Sequence, residues 1–166
     1  AISGTVDVDS GDTLTYSVVT GPSNGVLGNF GEGTASDGSA LSSDQILYTP
    51  DADWSGTDTF TFKVNDGTVD SNTATATITV AAVNDAPVTS DQTASTDEDT
   101  AVDITLSSTD VEGDSVTYSI VSDASNGSTS LSGSTVTYTP DTNWNGTDTF
   151  TFKANDGTDD SNTSTV

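Results

Sequence analysis

The sequence predicts an all-β protein built as two tandem sandwiches of antiparallel sheets. Three observations predict it: apolar residues that recur every second position, an internal repeat of about 90 residues, and Gly, Asn, Asp and Pro turn signals at short intervals. Leu14, Tyr16 and Val18 alternate with polar residues, and so do Val116, Tyr118 and Ile120. Phe60, Phe62 and Val64 are matched by Phe150, Phe152 and Ala154, while Ala74, Ala76, Ile78 and Val80 follow in the first half and Val102, Ile104 and Leu106 open the second. A period of two places one face on a core and the other in water. Thr fills most outward positions, where a half-exposed pleated surface favours it. No stretch keeps helical spacing over the ten or so residues a helix needs.

The repeat sets the domain organisation. YTPDADWSGTDTFTFKVNDGTVDSNT begins at Tyr48 and returns as YTPDTNWNGTDTFTFKANDGTDDSNT at Tyr138, an offset of 138 − 48 = 90. LTYSVVTGPSNG around Tyr16 returns as VTYSIVSDASNG around Tyr118, an offset of 118 − 16 = 102, so the first copy carries 12 extra residues between Gly25 and Tyr48. That Gly- and Ser-rich stretch reads as a lengthened hairpin or loop. The expected domains are residues 1–83, without a counterpart to most of Ala86–Leu106, and residues 84–166, without a full counterpart to ATATITV. Ala1 follows no initiating methionine, and the chain reads as an excerpt of something longer.

Composition narrows the partners. There are 26 acids against 2 basic residues, both Lys, for a formal charge of −24, and there is no His, Cys or Met. A folded body so charged repels itself unless cations neutralise it. Nucleic acid is excluded because phosphate binding needs Lys and Arg, and an anionic membrane surface is excluded for the same reason; no stretch is apolar enough for membrane insertion. Divalent metal ions or a saline habitat remain as sources of positive charge. Without Cys there is neither a disulfide scaffold nor a thiolate metal site. Without His, Cys or Arg the usual nucleophile–base pairs and anion clamps are missing, so the chain is not expected to be an enzyme.

Acids at alternate positions of a loop can turn several oxygens inward, as Ca2+ requires. Asp110, Glu112 and Asp114 are spaced that way, and Asp7, Asp9 and Asp12 are their counterparts. The alternative is a solvated acidic loop on an acidic protein.

The linker AVNDAPV at Ala82–Val88, DEDT at Asp97–Thr100, DVEGDSVTY at Asp110–Tyr118, the twice-used YTPDxxWxGTDTFTF and the NDG at Asn65–Gly67 and Asn155–Gly157 go further. With them the chain resembles the bacterial cadherin-like tandem repeats of large surface and RTX-type adhesins. The resemblance implies Greek-key, Ig/cadherin-like β-sandwiches strung end to end with Ca2+ at their junctions. It also implies a ligand set: Asp51 and Asp53 after the first YTP, Asn84 and Asp85 in the linker, and Asp110, Glu112 and Asp156 downstream. Glu98 with Asp141, and Asp7, Asp9 and Asp66, would serve neighbouring junctions. Two departures are evident: the NDAP linker is short and poor in acid beside that of animal cadherins, and Asn143 replaces the acid at Asp53.

Other recurrent residues carry a functional and a plainer reading. Trp54 and Trp144 would stack on a sugar or, more simply, cover the end of a core. Lys63 and Lys153 would form an intramolecular Lys–Asn crosslink or pair with neighbouring carboxylates; alternation turns them outward, which favours pairing. Asn24-Gly25 and Asn126-Gly127 read as tight turns. Asn126, Asn145 and Asn162 fit the short glycosylation acceptor pattern.

The reading these features support is a calcium-stiffened extender repeat of a secreted or cell-surface bacterial adhesin. Its partners would be neighbouring repeats of one long chain and a glycan or cell-surface target. The alternatives are a building block of an extracellular filament or sheath, in which like chains are the partners, and a carbohydrate-binding module attached to a secreted enzyme, for which Phe30 is the candidate platform.

Overall fold

A computed structural model describes residues 13–33 and 39–166, so Asp7, Asp9 and Asp12 lie outside the described residues. The chain divides into two compact units, Ala1–Ala82 and Val83–Val166. Every regular element among the described residues is a β-strand.

In the first unit, β1 (Thr15–Thr20), β4 (Gly56–Asn65) and β5 (Ala74–Val80) form an antiparallel sheet in the order β1-β4-β5. The hairpin of β2 (Gly25–Leu27) and β3 (Tyr48–Pro50) forms a second layer. The alternation on β4 does what its period requires: Asp58, Phe60, Phe62 and Val64 are buried, and the Thr residues between them face out or are half-buried. Leu14 and Tyr16 from the first layer and Leu27, Phe30 and Ile46 from the second close over Phe60, Phe62 and Val64. Phe30 lies 5.3 Å from Tyr16, ring to ring. It is therefore part of the core's cover and not the exposed sugar platform its loop position suggested.

The second unit adds β6 (Val88–Thr89), β7 (Val102–Thr105), β8 (Ser108–Thr109), β9 (Thr117–Ser122), β10 (Gly127–Ser132), β11 (Thr135–Pro140), β12 (Thr151–Asn155) and β13 (Ser164–Thr165). Its sheets run β10-β11-β7 and β13-β12-β9, with a short β6-β8 pair. Side chains from both sheets meet in one core, where Val136 and Phe152 are fully buried beside Ile104, Leu106 and Phe150. The tandem units are β-sandwiches of the immunoglobulin-like class.

The two hairpins show how the repeat tolerates 12 extra residues. Gly25 pairs with Pro50 and Leu27 with Tyr48, as Gly127 pairs with Pro140 and Thr129 with Tyr138. The base of the hairpin is identical, and the insertion is spent beyond it. The Asn-Gly dipeptides are not tight turns. Gly25 and Gly127 lead strands, and a Cβ on Gly25 would lie 2.7 Å from the Tyr48 ring and 2.6 Å from the Thr49 carbonyl. Glycine is needed there for close approach of a cross-strand ring, not for an unusual φ.

Candidate functional site

The acids fall into three local constructions. The first is the NDG loop, built twice. Asn65 Oδ1 accepts the Gly67 N–H at 2.7 Å, and Asp66 Oδ1 accepts those of Thr68 and Val69, each at 2.7 Å. Gly67 takes φ +100°, a backbone that glycine alone adopts freely. Lys63 pairs with Asp70, whose other oxygen accepts from Asn65 at 2.7 Å. Asn155, Asp156, Lys153 and Asp160 repeat the arrangement. The N–H donors of Val69 and Thr68 hold the Asp66 carboxyl below the usual range, and those of Asp159 and Thr158 do the same for Asp156. One oxygen of Asp66 and one of Asp156 are thus committed to turns. Lys63 and Lys153 are charge partners of Asp70 and Asp160.

The second construction is a Tyr–Asp knot, which inspection of the sequence missed. Asp58 is 4% exposed and accepts from Ser23 N at 3.0 Å, Asn24 N at 2.8 Å and the Tyr48 hydroxyl at 3.1 Å. Asp148 does the same with Ser125, Asn126 and Tyr138. Burial pushes both carboxyls up, but three backbone N–H donors and a phenol outweigh it and hold them below the ordinary range. The signal was present: Asp58 shares its parity with Phe60, Phe62 and Val64, so an acid stands on the inward face.

The third lies where the linker residues meet their own unit. Asn84 Nδ2 donates to Asp156 Oδ2 at 3.0 Å and to Asp159 Oδ2 at 3.1 Å. The Asp85 N–H donates to Glu112 Oε2 at 3.1 Å. Asp110 Oδ1 accepts the Asp114 N–H at 2.9 Å across Gly113, which sits at φ +76°. Asp110 Oδ2 is buried and has no hydrogen-bond partner. Asn84, Asp85, Asp110, Glu112, Asp114 and Asp156 therefore gather along one edge of the second unit. Asp159 joins them unannounced, its only signal being that the first copy has Val69 at that position. Among the described residues no three carboxylates converge tightly enough to share one ion by themselves. The donors suit Ca2+ in kind, all being oxygen, and a cation would give the orphaned Asp110 oxygen its missing partner; the remaining ligands would be carbonyls, amide oxygen and water.

The other expected ligands stand apart. Asp53 and Asn143 adopt φ +58° and +56°, a left-handed position that Asp and Asn tolerate best, which explains their exchange without reference to a metal. Asp51 and Asp141 are exposed, and their backbone N–H groups tie to the Asn24 and Asn126 carbonyls. Asp99, not Glu98, reaches the Asp141–Asn143 loop, accepting the Asn143 N–H at 2.8 Å. Trp54 and Trp144 are half-buried with rings over Gly56 and Gly146. Asn162 ties back into its own unit, donating to the Thr89 carbonyl at 3.0 Å and to Ser164 Oγ at 3.2 Å.

No curated protein matches the chain. Among solved structures it is similar to the endo-fucoidan hydrolase MfFcnA4 from glycoside hydrolase family 107 at 25% identity, over 93% of this chain, with a TM-score of 0.38. A variant of that enzyme matches at 26% identity with the same coverage and TM-score. The chain spans 23% of the length of either. A family match covers residues 1–79 and again 84–166. With a sandwich core in each unit and the family matched once on each, the chain belongs to the bacterial Ig domain family.

Proposed function

We propose that the chain is a non-catalytic spacer, a pair of tandem Ig-like units in an extracellular or surface protein of a bacterium. Calcium stiffens it at the Asn84–Asp85 edge of the second unit. The observation that carries this reading is the edge itself: linker residues already bonded to Asp156, Asp159 and Glu112, beside a buried Asp110 oxygen that accepts nothing. Asp110 Oδ2 would bind the ion together with a neighbouring carboxylate, with carbonyl, amide and water oxygens completing the shell, and the ion's charge would relieve part of the repulsion in a chain of formal charge −24. A stiffened linker turns a string of sandwiches into a rod that presents a distal domain away from the cell, the role of a cadherin-like adhesin repeat.

Calorimetric titration of the whole chain with Ca2+, with Mg2+ as control, is the direct test. A site that binds the folded form alone raises stability by about 2.7 kcal/mol when ligand stands at a hundredfold excess over Kd. Small-angle scattering should show a larger, better defined maximum dimension in Ca2+ than in chelator. Absence of binding heat removes the ion from the reading; binding with an unchanged dimension removes the stiffening.

A further inference from the structure

The second unit leaves one sheet edge unguarded. An edge strand offers a row of unpaired N–H and C=O groups to any other chain, and proteins blunt such edges by shortening them, bulging them or placing charge or Pro on them. β7 is four residues long and carries Asp103. β9 is bulged at Val121, which its register with β12 skips. The first unit keeps β2 to three residues. The counterpart of β2, β10, has none of these devices. It runs for six residues, pairs with β11 at every one of them without a shift, and reads Gly-Ser-Thr-Ser-Leu-Ser. Its outermost place follows from the unit's own connections: β11 and β7 lie on its other side, and residues 123–126, which join it to β9, are too few to bring a further strand alongside.

We propose that β10 is a self-association edge, taken by β10 of a second copy of the chain running antiparallel to it. Charge selects the partner. Two chains of −24 repel wherever their acids face each other, and residues 124–140 contain no charged residue. A cationic protein would be drawn to the acids elsewhere on the surface, whereas this edge offers it no charge to meet. The strand also complements itself. Ser128, Ser130 and Ser132 are exposed, while Gly127, Thr129 and Leu131 between them are half-buried. Antiparallel pairing about Ser130 sets Ser128 opposite Ser132 and Thr129 opposite Leu131, so each face of the sheet continues across a two-fold axis. Asp123 accepts the Thr129 hydroxyl at 2.5 Å. Pairing about Thr129 would set two such carboxylates opposite each other, and pairing about Ser130 staggers them. The three strands β10-β11-β7 of each copy then form one sheet, which joins spacer to spacer.

One strand pair buries far less than the ~1,200 Å2 of a stable complex, so the dimer forms only at high concentration. The test is sedimentation of the full chain up to millimolar protein, in chelator so that calcium bridging plays no part. The expected result is a concentration-dependent dimer that added salt strengthens, because screening weakens the repulsion between the copies. Ser130→Asp places like charges opposite each other at the axis and should raise the dimer Kd by about tenfold or more. An unchanged melt of that variant when dilute shows that its fold is intact. Ser17→Asp, on the exposed edge strand β1, should leave the dimer as it is. Ser130→Cys, the sole thiol in a chain without Cys, should oxidise to a covalent dimer, since paired strands bring opposite Cα atoms within disulfide range. A chain that stays monomeric throughout overturns the proposal. So does a dimer that survives Ser130→Asp, one that Ser17→Asp dissolves, or one that Ser130→Cys fails to crosslink.

Discussion

The Tyr48 hydroxyl donates to the Asp58 carboxylate at 3.1 Å, and it also lies 3.1 Å from the Asn24 carbonyl. Tyr138 repeats both contacts with Asp148 and Asn126. The first knot ties the β2–β3 hairpin to the central strand β4 of the opposite layer, and the second ties the β10–β11 hairpin to the segment that leads into β12, so each holds the two faces of its sandwich together. Tyr138→Phe removes one phenol bond and should lower stability by about 1 kcal/mol. Asp148→Ala also strands the Ser125 and Asn126 N–H groups and should lower Tm by more than Tyr138→Phe does. Thermal melts of the two variants check the order; an equal loss would mean that the N–H donors find other partners.

Gly25 and Gly127 are irreplaceable for a reason of crowding. A Cβ on Gly127 would stand 2.6 Å from the Tyr138 ring and 2.7 Å from the Thr139 carbonyl, and the carbonyl belongs to a paired strand that cannot give way cheaply. Gly25→Ala and Gly127→Ala should each cost about 1–3 kcal/mol. Gly21 has no atom within 4 Å of its would-be Cβ, so Gly21→Ala should be neutral or slightly stabilising. Denaturant melts of the three variants separate crowding from a general need for glycine.

These residues show what was legible before the structure. Phe60, Phe62 and Val64 declared themselves by parity, because burial on a strand follows a local rule. The 12-residue insertion declared itself by the difference of two offsets. The role of Gly25 did not, because the ring that crowds it lies 23 residues away across a hairpin, and an Asn-Gly pair has a stronger local meaning as a turn. The linker edge was half legible: Asp110 and Glu112 stood out by spacing. That Asp159 would join Asn84, and Asp99 rather than Glu98 the Asn143 loop, depends on loop paths that local pattern does not encode.

Acid should unfold the chain through its turn and knot carboxylates. Asp66, Asp70, Asp156 and Asp160 are held low by N–H donors, Lys and Asn, and Asp58 and Asp148 by the donors that outweigh their burial. An unfolded aspartate titrates near about 3.9. Below that value the unfolded chain binds more protons than the folded one, so stability rises with pH there. It is fully present above the unfolded value and lost as pH falls through the folded ones. Tyr48 and Tyr138, raised by burial and by their carboxylate partners, act oppositely: their contribution holds below about pH 10 and fades above it. Melts at closely spaced pH values should show a steep decline below pH 4, and a flat profile would remove these bonds from the stability of the fold.

Lys63 and Lys153 should prove to be ordinary charge partners. Each is paired with an Asp on a side chain more than a third exposed, 38% and 36% respectively, where water screens the charge. Lys63→Met should change stability by less than about 1 kcal/mol. Intact-mass measurement should match the sum of the residues. A deficit of one water or one ammonia would reveal an amide crosslink from Lys63 or Lys153 to an Asp or Asn neighbour.

Asp110 separates metal binding from mere acidity, because one substitution has opposite effects in the two cases. Its Oδ1 accepts the Asp114 N–H, while its buried Oδ2 accepts nothing. Without a cation that orphaned oxygen is a cost, since a buried acceptor without a donor loses its hydration for nothing. Asp110→Asn keeps the Oδ1 contact and removes the charge, so in chelator the variant should melt at or above the parent. In Ca2+ the order should reverse, because the parent gains the ion's binding energy and the variant loses a charged ligand. A variant more stable than the parent in both conditions would leave the edge as an acidic surface and withdraw calcium from the spacer reading.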